Sequence, residues 1–152
     1  MTTPIKRHEA LQPLGREHHT GLLFSWKIRE GIKRNADLMR MKNYADWFWT
    51  SHLQSHFELE EKHVFSILPD DNEKKQQALR EHQLIKSLFE NNTPSTDSFS
   101  ILEKQLEQHI RFEERDLFNE IQLAATDEQL QAIAAHHEDV KQDDWADEFW
   151  KG

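Results

Sequence analysis

The chain contains no cysteine, only four glycines and four prolines, and a single tyrosine among its 152 residues. Without cysteine it forms no disulfide, no thiolate nucleophile and no cysteine-held zinc or iron–sulfur centre, so any metal must be held by nitrogen and oxygen. So little glycine and proline leaves few places to turn, a composition suited to long helices joined by short loops. No apolar run approaches the roughly 20 residues that cross a bilayer. The N-terminus, Met1-Thr2-Thr3-Pro4-Ile5-Lys6-Arg7-His8, lacks the apolar stretch of a signal peptide. Positive charge is scarce as well: 19 Lys and Arg stand against 28 Asp and Glu, a formal charge of −9. Nucleic acid and acidic membrane surfaces would repel such a chain. The expectation is one domain spanning 1–152, in the cytoplasm.

What the chain does have is helical periodicity. A first helix opens near Pro13, a residue suited to a first turn, and runs through Leu14, His18, Leu22, Trp26 and Ile28 to about Ile32. The polar break Arg34-Asn35-Ala36-Asp37 separates it from a second helix, about Met39 to Leu68, which ends at Pro69-Asp70-Asp71-Asn72. A third spans about Glu73 to Asn91, and the loop from Asn92 to Asp97 leads to a fourth, about Phe99 to Ala125. Thr126-Asp127 caps a short fifth helix carrying Leu130, Ile133 and Ala134, and Trp145, Phe149 and Trp150 form an aromatic tail packed back on the helices. Short loops make antiparallel neighbours. The expected fold is therefore all-α, an up-down-up-down antiparallel four-helix bundle with a short fifth helix and an aromatic C-terminal tail.

Two words stand out within this pattern: His56-Phe57-Glu58-Leu59-Glu60 and His109-Ile110-Arg111-Phe112-Glu113. Positions i and i+4 lie on one helix face, so each word aims an imidazole and a carboxylate the same way, here inward. Two buried carboxylates are costly unless positive charge meets them, and a metal ion supplies it. The hairpins bring two more histidines to the same height. His56 lies 13 residues before Pro69 and His82 lies 13 after it, each about 20 Å from the turn at 1.5 Å per residue. His82 and His109 straddle the Pro94–Ser95 loop at similar distances, and His18 and His56 straddle Asp37 with 19 residues on either side. Those longer arms imply either a projecting hairpin end or non-helical residues near Asp37. On helix one, His18 shares the Leu14, Leu22 and Trp26 stripe and is preferred to His19.

The candidate metal ligands are thus His18, His56, Glu60, His82, His109 and Glu113. Four imidazoles and two carboxylates in one layer can hold two metal ions, with a histidine pair on each and both glutamates bridging. Mixed imidazole and carboxylate ligation suits two iron ions with a bridging oxo or hydroxo group, and manganese or zinc would also accept these donors. Positions remain open for a small exogenous ligand.

These residues resemble the hemerythrin-like, or HHE cation-binding, domains. Arg16-Glu17-His18-His19, His56-Phe57-x-x-Glu60-Glu61, Arg80-Glu81-His82 and the run from His109 to Phe118 are similar to the family's four ligand segments, and the resemblance covers nearly the whole chain. It implies a non-haem di-iron centre that binds oxygen or another small diatomic ligand for storage, sensing or scavenging. It equally implies the family's enzymatic branch, which handles peroxide or nitric oxide or assists iron–sulfur repair. One position departs from the oxygen carriers: a second third-helix histidine is replaced by Lys86, so one iron lacks its third imidazole. A third reading discards the metal and leaves a helical interaction module.

The remaining candidates have simpler explanations. Trp47, Phe48, Trp49, Phe57, Phe65, Phe89, Phe112 and Phe118 read as core. His8, His136 and His137 read as surface or satisfied histidines, and Glu58, Glu61 and Glu114 as a solvated face; His63 reads first as an outer or structural histidine, with the ligand that Lys86 does not supply as its alternative role.

Overall fold

A computed structural model describes residues 6–91, 93–137 and 145–151, so Asn92 of the expected loop lies outside the described residues. Every element is helical, and no strand occurs among the described residues. Helix α1 (Gln12–Lys33) has Pro13 in its first turn, and the single 3-10 turn before it is capped by His8, whose Nδ1 accepts from the Ala10 N–H. The break at residues 34–37 is real: Asn35 adopts a left-handed φ of 55°, and the Asp37 carboxylate caps α2 (Leu38–Phe48). Asn72 caps α4 (Glu73–Phe89), and Thr126 opens α7 (Asp127–His136) with a reciprocal bond to Gln129. Helix α5 (Thr96–Phe112) starts before the expected Phe99, because Ser95 and Ser98 form the same kind of box. No described helix is long and apolar enough to cross a membrane.

The second and fourth helices hold a feature that regular helical periodicity does not predict. The rod beginning with α2 widens into a π turn at Trp49–Leu53, continues as α3 (Gln54–Leu59), and widens again at Glu60–Val64. A third π turn, Glu113–Leu117, joins α5 to α6 (Phe118–Ala124). In the last two, the N–H of Phe65 or Phe118 bonds the carbonyl of the glutamate five residues earlier. The cause is visible in the spacing of buried residues. His56, Glu60, Val64 and Leu68 form one run of four-residue steps, and His109, Glu113, Leu117 and Ile121 form another. At 3.6 residues per turn each such step drifts about 40° around the helix, so three steps would carry the stripe off the core. A wider turn absorbs that drift and keeps it facing inward. Met41, Ala45, Trp49, Leu53 and Phe57 explain the first π turn by the same logic.

The apolar interior is divided in two. One cluster gathers Phe24, Ile28, Tyr44, Phe48, Trp49, Phe57, Ile85, Phe89, Leu106 and Ile110, with Phe149 and Trp150 of the tail packed into it as expected. The other gathers Leu11, Leu14, Val64, Phe65, Ala78, Leu117, Phe118, Ile121, Leu130 and Ile133. Each of the four ligand-bearing segments crosses from one cluster to the other, and the layer between them holds the candidate site. The tail is anchored through a close approach at Gly31, where an added Cβ would stand 2.8 Å from the Phe149 ring. Gly31→Ala is therefore expected to push Phe149 out and destabilise the protein by about 1–3 kcal/mol. Chemical denaturation followed by tryptophan fluorescence measures both, and an unchanged midpoint and spectrum would show that the contact is soft.

Candidate metal centre

Between the two apolar clusters lies a buried layer of ionisable groups: His18, His56, Glu60, His82, His109 and Glu113. Both glutamates are completely inaccessible, at 0% exposure. These are the six residues singled out from the sequence, and they fall into two adjoining groups. His18 and His56 meet both glutamates, His82 and His109 meet the same two, and within each group the donor atoms lie within 4.8 Å of one another. Nε2 of His18 is 2.8 Å from Oε2 of Glu113 and 3.6 Å from Oε2 of Glu60. Nε2 of His109 is 2.7 Å from the other Glu113 oxygen, and Nε2 of His82 lies 3.3 Å and 3.4 Å from Oε1 of Glu60 and of Glu113. Nε2 of His56 is 3.2 Å from Oε1 of Glu60.

Those separations are the ones adjacent ligands of a single ion would show. Two donors at about 2.1 Å from a metal, at right angles, stand about 3.0 Å apart. The orientation matters as much as the distance. Nε2 of His18, His82 and His109 and all four oxygens of Glu60 and Glu113 are buried without a hydrogen bond of acceptable geometry. Buried polar atoms in folded proteins are nearly always satisfied. Seven orphaned atoms converging on one layer fit a cation, and the donor set of imidazole and carboxylate is one that iron, manganese and zinc accept.

A second ring of carboxylates surrounds the first. Nδ1 of His18 meets Glu114 at 2.6 Å, that of His56 meets Glu17 at 2.8 Å, that of His82 meets Glu61 at 2.8 Å, and that of His109 meets Glu81 at 2.7 Å. Each bond crosses to a neighbouring segment, so the ring closes on itself: α1 to α3, the Glu60 turn to α4, α4 to α5, the Glu113 turn back to α1. An ionised carboxylate only accepts, so each Nδ1 donates, and in the neutral imidazole the Nε2 lone pair is left facing inward. This is the outer-shell arrangement that orients metal-binding histidines. The assignment of Glu61 and Glu114 to a solvated face is therefore corrected. Both remain partly exposed, yet each reaches under its neighbour to hold a buried imidazole. Glu58 is exposed as expected. The ring's sequence signal was adjacency, because Glu17, Glu61, Glu81 and Glu114 each sit beside an inner residue.

Other residues also take definite places. His19 is exposed and His18 buried, which settles their relative orientation, and Lys86 is exposed, so it does not approach the layer. His63 does not join either group; its ring stacks on His136 with centroids 4.2 Å apart. Phe57 lies flat against His82, with centroids 3.7 Å apart and ring planes 9° from parallel, and restrains its rotation.

Without a metal, protons must supply the charge. Burial works against the imidazolium at every inner histidine, but the carboxylates more than reverse it. His18 and His82 are raised well above 6.5 by the nearby carboxylates of Glu113 and Glu60 and by the bonds their Nδ1 atoms donate to Glu114 and Glu61. His56 is pushed up to about 9 against the burial penalty, chiefly by the charge of Glu60 and the bond it donates to Glu17, and His109 is raised by Glu113 and Glu81. Burial likewise opposes ionisation of Glu113, yet the charge of His109 and the close approach of the His18 imidazole hold its carboxyl well below the ordinary range.

No family model, curated protein or solved structure matches the chain. The assignment of its function rests on the geometry of these residues.

Proposed function

We propose that the chain is a non-haem di-iron protein of hemerythrin-like type, an up-down-up-down four-helix bundle that binds oxygen or another small diatomic ligand for storage, sensing or scavenging. The observation that carries this is the pair of four-donor groups sharing Glu60 and Glu113, seven of whose buried donor atoms lack a hydrogen-bond partner. His18 and His56 would hold one ion, His82 and His109 the other, and the two glutamates both. Glu113 is set up to bridge, with Oε2 toward His18 and Oε1 toward His82 and His109. When bound, an iron pair supplies reversible redox change and open coordination positions for a small ligand. The chain's own residues orient the imidazoles through the outer carboxylates and screen the layer from water with Phe57, Phe65 and Phe118.

A second reading is favoured by the equality of the two donor groups. With Lys86 exposed, each would-be metal position has two histidines and shares two glutamates, and the asymmetry expected of an oxygen carrier is missing. That symmetry suits an enzyme handling peroxide or nitric oxide, or assisting iron–sulfur repair. Metal analysis of purified protein, with absorption spectra before and after exposure to air, tests both. About two irons per chain are expected. An oxygenated spectrum that reverts under vacuum supports binding, and catalytic loss of peroxide or nitric oxide supports the enzyme. Absence of bound metal, with unchanged stability after Glu60→Ala, would sink both.

A further inference from the structure

The last residue of helix α7 and the residue that follows it, His136 and His137, reach the surroundings of the candidate centre. His136 lays its ring on His63 at an interplanar angle of 6°, and His63 belongs to the π turn that starts at Glu60. The next residue, His137, places Nε2 3.2 Å from Oε1 of Glu17, with its side chain only 7% exposed. That oxygen is also the one that receives Nδ1 of His56 at 2.8 Å. Leu130 and Ile133 are buried in the adjoining apolar cluster, so α7 is itself firmly seated.

The other outer carboxylates end differently. Glu114 meets Arg7, Glu81 accepts from the Gln77 amide, and the Glu61 side chain is 40% exposed. Among the described residues, Glu17 alone of the four stands between an inner histidine and a second imidazole. A carboxylate held from one side can swing about its terminal torsion, carrying the imidazole plane with it. A second imidazole nitrogen 3.2 Å from the same oxygen, a close contact without the alignment of a hydrogen bond, narrows that freedom.

We propose that His137 is a positioning residue of the centre: through Glu17 it fixes the ring of His56, and so tunes the half built on His18 and His56 while leaving the half built on His82 and His109 alone. This rests on the two-metal reading above. It also gives the short fifth helix a role beyond covering the core, as the element that fixes one metal position relative to the other.

The test uses the full chain titrated anaerobically with ferrous iron against a competing chelator. Wild type is expected to take up two ions. His137→Ala is expected to weaken one of the two binding steps by about 10–100-fold, the range for loss of an outer-shell partner, and to leave the other unchanged. His137→Gln, which keeps a polar N–H group near the Nε2 position, should recover most of the loss. Gln131→Ala, on the exposed side of the same helix, should have no effect. Equal weakening of both steps, or of neither, would overturn the proposal. If wild type binds no iron, the two-metal reading fails by itself, and the metal-free protein still decides the role of His137. There, proton NMR should show the His56 Nδ1 proton exchanging faster in His137→Ala while that of His109 is unaltered. An unaltered His56 signal would dispose of the proposal as well.

Discussion

Glu113→Ala is expected to empty both of the proposed metal positions, not one, and to destabilise even the metal-free protein. The carboxylate stands 2.8 Å from His18 on one side and 2.7 Å from His109 on the other, so each half of the layer loses a donor. In the metal-free state the same oxygens are the counter-charge for imidazoles raised well above their ordinary pKa. Removing one member of a fully buried ion cluster leaves charge without a partner, which costs about 3–5 kcal/mol. That is a large share of the 5–15 kcal/mol by which a typical domain is stable. Metal analysis and denaturant titration read the two effects separately. A variant that keeps two ions per chain would show that Glu113 is not shared.

Metal removal is the second large effect, and it should depend on pH. At free metal about a hundredfold above the dissociation constant, each ion adds roughly 2.7 kcal/mol of stability. Two such ions should raise the melting temperature by about 10–20 °C for a domain of this size. In the metal-free protein, protons take the place of the ions. His56 titrates at 6.5 when unfolded and near 9 when folded, so its stabilisation is complete below pH 6.5 and is lost as pH rises through 9. Glu113 acts in the opposite sense: its contribution is present above 4.5 and is lost as pH falls through its depressed folded value. Metal-free stability should therefore decline from pH 6.5 toward 9. Metal binding displaces those protons and so strengthens over the same interval. The difference in melting temperature between loaded and chelated protein is expected to widen steadily between pH 6 and 9. A constant difference would mean that the inner imidazoles carry no protons in the metal-free state.

Much of the arrangement was legible in one dimension. The four-residue interval between His56 and Glu60, repeated at His109 and Glu113, places side chains on one helix face whatever the helix packs against. Equal arm lengths on either side of Pro69 and of the Pro94–Ser95 loop brought His82 level with both. The longer arms about Asp37 have more than one cause: residues 34–37 are not helical, the α2 rod carries an additional π turn at Trp49–Leu53, and α1 continues to Lys33, well beyond His18, so this hairpin end is also the longer one. That turn and its two counterparts were written in the sequence as runs of four-residue steps. Recognising them required knowing that every residue of the run is buried.

The outer ring was not legible, although each of its members adjoins an inner ligand candidate. Neighbours on a helix point about 100° apart, so Glu17 cannot turn toward the ion that His18 would hold. Its carboxylate reaches His56 only because α1 and α3 pack at the right distance and rotation. The same holds for Glu61, Glu81 and Glu114, each of which serves an imidazole on another segment, and for His137, which arrives from the far end of the chain. By itself, then, the sequence determined which six donors share a layer, because helical period and hairpin symmetry are properties of the chain alone. Only the tertiary structure decided which nitrogen of each histidine faces inward and what holds it there, because that depends on the contacts between helices.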